Sequence, residues 1–117
     1  MTRIRVFAAF AAVLAVSIAT AVSFAHPSVD IVASNWKFVP ATVTMHVGEA
    51  THLRLTSSEG VHGIASDDLG IAKTLIVPGK FADVDVTPKK AGTYVVKCAI
   101  VCGAGHDTMA LTVKVLP

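Results

Sequence analysis

The chain has 117 residues, room for one domain and not for two. Hydrophobic residues make up 53% and charged residues 15%, which excludes intrinsic disorder and low-complexity tails. The formal charge is +2, and setting Arg3 and Arg5 aside leaves eight basic against eight acidic residues, so no basic patch remains for nucleic acid.

Arg3 and Arg5 precede an uncharged run over residues 6–25 that ends in Ser23-Phe24-Ala25. A basic start, an apolar run and small residues at its end form the pattern of a cleaved secretory signal. Residues 1–25 are then the leader and residues 26–117 the mature domain. The competing reading is an uncleaved membrane anchor, because a run of twenty residues is just long enough to span a bilayer. Ala is its commonest residue, however, at eight of twenty, and the run is poor in the Leu and Ile that drive insertion, with one Leu and one Ile. Either reading places residues 26–117 outside the cytoplasm, in the periplasm or its equivalent. The membrane is a partner only if the leader stays attached.

After the leader the chain reads as short alternating segments. Residues 29–34 read as a strand. Trp36 and Phe38 follow at period two and are expected as core aromatics. Pro40 closes that piece. Val43, Met45 and Val47 alternate with Thr44 and His46 and stop at Gly48. Leu53 and Leu55 alternate with His52, Arg54 and Thr56, so His46 and His52 are expected to face solvent. Ser58 to Gly63 reads as a loop carrying His62. Ala82, Val84 and Val86 alternate with Asp83, Asp85 and Thr87, the polar set forming a solvated face beside a Lys89-Lys90 turn. Tyr94, Val96 and Cys98 share one parity, as do Met109, Leu111, Val113 and Val115. Period-two alternation broken by Gly and Pro predicts an all-β sandwich. No helical period, repeat or second domain follows the leader.

The chemistry gathers in one connection between two predicted strands, Cys98-Ala-Ile-Val-Cys102-Gly-Ala-Gly-His106-Asp-Thr-Met109. Two thiols, an imidazole and a thioether within twelve residues form a soft donor set that selects copper over Mg, Ca or Mn. Gly103 and Gly105 allow a tight path with no Cβ beside a metal. A second imidazole must come from His26, His46, His52 or His62. His62, in the loop after the strand ending near Thr56, is the expected one.

These residues resemble the CuA-type cupredoxin domain of cytochrome c oxidase subunit II, most of all that of the ba-type oxidases, and the related domain of nitrous oxide reductase. The likeness rests on Thr56 to Gly63, on Val77-Pro78-Gly79, on Gly92-Thr93-Tyr94, on the C-x-x-x-C-x-x-x-H-x-x-M loop and on Trp36 to Pro40 running on to Gly48. It covers about residues 30–116. The resemblance implies an all-β, cupredoxin-like Greek-key β-sandwich and two copper ions. Cys98 and Cys102 would bridge both ions, and His62 and His106 would bind one each. Met109 and the backbone carbonyl of Ile100 would be weak ligands. Many family members carry Glu or Gln where this chain has Ile100, and often Asp where it has Glu59. Trp36 would be the point where electrons arrive. The implied partners are a c-type cytochrome and a haem-copper oxidase subunit, and the chain alone would not be catalytic.

Other readings of the same residues stay open. Cys98 and Cys102 in an exported chain can pair as a disulfide. Cys102, His106, Met109 and His62 make a complete one-copper, blue-copper set in which Cys98 is superfluous. A copper carrier for oxidase assembly would bind without transferring electrons. Cleavage after Ala25 would make His26 an amino-terminal copper chelator.

Overall fold

The computed structural model describes residues 11–20 and 26–117, and the expected leader falls largely on residues outside these. No helix among the described residues is long and apolar enough to cross a membrane. Among the described residues nine strands follow one another: β1 (Ser28–Ser34), β2 (Lys37–Val39), β3 (Thr42–His46), β4 (Thr51–Ser57), β5 (His62–Ser66), β6 (Ile71–Ile76), β7 (Ala82–Val86), β8 (Gly92–Lys97) and β9 (Ala110–Leu116). A single 3-10 turn, His106–Thr108, interrupts the last connection. The all-β expectation is met.

The strands form a sheet in the order β2-β1-β4-β7, a second in the order β3-β9-β8, and a β5-β6 ribbon. β1 runs parallel to β4, and β3 parallel to β9. The remaining pairs are antiparallel. The register follows the alternation: Leu53 and Leu55 of β4 point inward beside Val29 and Ile31 of β1, while Arg54 is exposed. One core joins Ile31, Phe38, Met45, Leu53, Leu55, Ile64, Ile76, Val96, Leu111 and Val113 from all three groups of strands. Burying one side-chain set per strand in this way is what period-two patterning encodes.

Two expectations need correction. β5 and β6 escape the alternation rule, and His62 is the first residue of β5 rather than a loop residue. The register of the pair shifts between Ile64 and Ser66, so side-chain parity breaks there and hides the strands. Trp36 is not a core aromatic. It is 39% exposed, whereas Phe38 is 1% exposed. The period ends because Trp36 sits in the tight turn before β2 and is not part of the strand. Asp83 and Asp85 do face solvent, but they also grip a partner. His52 Nδ1 lies 2.7 Å from an Asp85 oxygen and Nε2 lies 2.9 Å from an Asp83 oxygen. The β4–β7 register, His52 opposite Asp85 and Arg54 opposite Asp83, sets this clamp.

Two predictions test the frame. Leu111 is fully buried in the middle of the β3-β9-β8 sheet. Leu111→Ala should lower unfolding free energy by about 2–5 kcal/mol in urea titration, with an unchanged denaturant slope. The Asp85 and Asp83 carboxylates hold the His52 imidazolium, raising its pKa above the ordinary 6.5. A raised folded pKa contributes stability that is fully present below pH 6.5 and is lost as pH climbs through the folded value. The melting-temperature difference between the wild type and His52→Gln should therefore be largest in mild acid and shrink with rising pH.

Candidate metal centre

Two segments meet at one end of the sandwich. The first is the link from β4 to β5. The Ser57 hydroxyl accepts the Glu59 N–H at 3.2 Å and donates to the Gly60 carbonyl at 2.5 Å, closing a compact turn. Gly60 takes φ +75, a conformation open to glycine at little cost. The turn delivers His62 into β5 with its side chain fully buried. His62 Nε2 lies 2.7 Å from the Glu59 carbonyl oxygen. A carbonyl can only accept, so Nε2 carries the proton and Nδ1 keeps its lone pair. His62 Nδ1 is buried and has no hydrogen-bond partner.

The second segment links β8 to β9. At its root the Cys98 N–H donates to the Met109 carbonyl at 3.1 Å, and the Ala99 N–H donates to the Gly63 carbonyl at 2.9 Å. An isolated bridge pairs Ile64 with Cys98. These ties place the sulfurs opposite His62. One ring nitrogen of His62 and the Sγ atoms of Cys98 and Cys102 all lie within 4.8 Å of one another. The Cys98 thiol donates to the Ile100 carbonyl at 3.3 Å. Cys102 Sγ is 3.6 Å from His106 Nδ1 and 3.8 Å from Met109 Sδ. Thus His62, Cys98, Ile100, Cys102, His106 and Met109 converge on one small volume.

Cys98 and Met109 are buried, and Ile100, Cys102 and His106 are half-buried. Both cysteines are free thiols. Burial, then the neighbouring Cys98 sulfur, push the Cys102 thiol up to about 11. Without a metal that thiol stays protonated at neutral pH, so a bound cation must displace its proton. His26 and His46 are exposed, and His52 is held by its two aspartates. Among the described residues, no other group of His, Cys, Asp and Glu shows metal-ligand spacing.

The donors present fit copper. They are two sulfurs able to become thiolates, a thioether, a carbonyl and an imidazole whose buried Nδ1 lone pair is otherwise unused. Hard cations favour carboxylate and water oxygen, and no carboxylate joins the cluster.

Trp36, Gly103 and Gly105 meet at the surface of the cluster. The Trp36 Nε1–H donates to the Cys102 carbonyl at 3.1 Å. A Cβ added at Gly105 would stand 2.5 Å from the Trp36 ring, and one at Gly103 would stand 3.0 Å from its Nε1. The glycines make room for an indole. Asn35, which reading the sequence did not single out, donates from Nδ2 to Glu59 Oε1 at 2.5 Å. Neither contact leaves a local sequence signal, since the partners are 24 and 66 positions apart.

Comparison with known proteins agrees with this architecture. A probable cytochrome c oxidase subunit 2 of Streptomyces coelicolor is 33% identical over 75 residues, covering 64% of this chain and 23% of that protein. The chain spans under a quarter of the length of the curated relatives it matches. The periplasmic domain of subunit II of cytochrome oxidase from Bradyrhizobium japonicum superposes with a TM-score of 0.70 at 16% identity, over 82% of this chain and 88% of that one. Auracyanin A, a blue copper protein from Chloroflexus aurantiacus, superposes with a TM-score of 0.59 at 12% identity, over 79% and 100%. At these identities the structural likeness shows a shared fold. The profile of the cupredoxin-like domain matches residues 6–110, nearly the whole chain, and the chain belongs to that family.

Proposed function

We propose that this chain is an exported electron-transfer domain that holds copper in a binuclear centre of CuA type. The observation that carries the reading is the convergence of two thiol sulfurs on a buried imidazole whose Nδ1 has no other partner. Cys98 and Cys102 would bridge the two ions, with His62 and His106 binding one each. Met109 and the Ile100 carbonyl would complete the set as weak ligands. A centre held by these residues would supply one-electron transfer.

The chain's own residues supply what such a centre needs. Two backbone hydrogen bonds, the Ile64–Cys98 bridge and a strand at each end fix the donor positions, so little has to move when charge changes. The sheet buries Cys98, Met109 and His62 away from water. Glu59 fixes the His62 tautomer through its carbonyl, which orients the free nitrogen. Trp36 reaches from the half-exposed surface to the Cys102 backbone, a short path for an arriving electron. The donor would be a c-type cytochrome or similar carrier, and the acceptor a haem-copper oxidase subunit. The relatives named as oxidase subunit 2 support that partnership. Residues 1–25 would direct export and leave 26–117 as the periplasmic domain.

A mononuclear, blue-copper reading has one specific support: Cys102 Sγ is the sulfur recorded near both His106 and Met109. Cys98, standing within 4.8 Å of the same cluster, favours the binuclear reading.

Reduced protein should take up two coppers per chain. Its EPR spectrum should show one unpaired electron split equally by two copper nuclei. One copper with single-nucleus splitting would establish the mononuclear reading instead. Cys98→Ser should give a one-copper site or none. A variant that kept two coppers and an unchanged spectrum would show that Cys98 does not bridge.

A further inference from the structure

Asn35 and Trp36 form the turn between β1 and β2, and together they touch both segments that carry the candidate ligands. On one side Asn35 Nδ2 donates to Glu59 Oε1. A methyl at Gly60 would stand 2.9 Å from Asn35 Oδ1 and 3.2 Å from His62 Nε2, so turn, glycine and imidazole are in close packing. Glu59 also supplies the carbonyl that fixes the His62 ring. On the other side Trp36 donates to the Cys102 carbonyl and lies against Gly103 and Gly105.

The β8–β9 connection needs such a support at its tip. Its root is tied to β5 and to Met109. Its tip hydrogen bonds are internal, His106 N–H to the Gly103 carbonyl and Thr108 N–H to the Gly105 carbonyl. Trp36 links that tip to the β2-β1-β4-β7 sheet. Gly103 has φ +122, and with Gly105 it leaves the backbone open to the indole face.

We propose that the Asn35-Trp36 turn is a positioning brace. It holds the His62 segment and the Cys102–His106 segment at ligand spacing before any metal arrives. The inference deepens the copper reading above and depends on it for the purpose that the spacing serves. A preset site avoids ordering the loop at the moment of loading, and ordering flexible segments costs affinity.

Trp36 is the single tryptophan of the chain, so its fluorescence reads the brace with no metal present. The full chain, copper-free and reduced, is compared with Gly105→Ala, whose methyl would meet the indole. Val101→Ala, an exposed position in the same loop, serves as the control. The brace predicts that Gly105→Ala shifts Trp36 emission to the red and raises its quenching by acrylamide, while Val101→Ala changes neither. Copper affinity should fall about 10- to 100-fold in Gly105→Ala, as for other residues that orient ligands. Trp36→Phe keeps an aromatic ring but loses the N–H donor. It should lower affinity and alter the copper hyperfine splitting at an unchanged melting temperature, and it decides the question if Gly105→Ala does not fold. Asn35→Ala, which keeps Trp36, should add its own loss of affinity. Wild-type affinity and spectrum in Trp36→Phe would overturn the brace, as would wild-type emission in folded Gly105→Ala. Should the wild-type chain bind no copper, the copper reading fails, and the metal-free fluorescence still decides whether the turn holds the loop.

Discussion

The donation from the Ala99 N–H to the Gly63 carbonyl is the constraint on which the site depends. It joins the β5–β6 ribbon to the end of β8, one residue beyond His62 on one side and one beyond Cys98 on the other. With the Ile64–Cys98 bridge, it fixes how far the imidazole stands from the first sulfur. The Cys98 N–H to Met109 carbonyl bond then closes the root of the β8–β9 connection, so the thioether is brought back beside the thiols. Ile100 reinforces the junction, because its side chain packs on Gly63, where a Cβ would stand 3.5 Å from Ile100 Cγ2. An aliphatic residue at this position therefore serves the fold, while its carbonyl remains turned toward the Cys98 thiol.

Holding these donors together without a metal works against stability. His62 Nδ1 is buried with no partner, and leaving such a group unsatisfied costs about 1–3 kcal/mol. The core of the sandwich offsets this. Ile64, Met45, Leu111 and Val96 are buried to within about 1% of full exclusion, and strand pairing satisfies the backbone around them. A ligand that engaged Nδ1 would remove the cost, so metal binding and folding stability are linked. The His52 clamp lies on the opposite kind of ground. It is solvent-facing, its charges are paired, and it ties the edge strand β7 to β4 without touching the donors.

Much of the fold was legible because solvent on one side and core on the other imposes period two. The segments around Val43, Leu53, Val84 and Val113 are read correctly for that reason. The rule fails where its cause is missing. β5 is buried over three successive residues, His62, Gly63 and Ile64, and a register shift follows, so no alternation exists to read. Trp36 fails differently: its parity matched Phe38, but a turn residue does not obey the strand's facing rule. The cluster Cys98, Cys102, His106 and Met109 was legible from spacing, since a single connection carries all four. The brace was not, because Asn35 to Glu59 and Trp36 to Cys102 are long-range contacts between side chains with no shared pattern.

The same burial that strands His62 Nδ1 also governs which cation the site admits. Desolvation raises the Cys102 thiol to about 11, and the adjacent Cys98 sulfur adds to the effect. A cation must therefore bind sulfur strongly enough to expel a proton that the protein holds more tightly than water-exposed cysteine would. Hard cations such as Mg and Ca gain little from thiolate and would be refused on that ground, before geometry is considered. Copper gains most from thiolate and imidazole and can displace the proton. Softness of the donors and dryness of the pocket thus select in the same direction. The half-buried edge at Cys102 and His106 leaves a way in for the metal, while Met109, Cys98 and His62 behind it stay shielded from water.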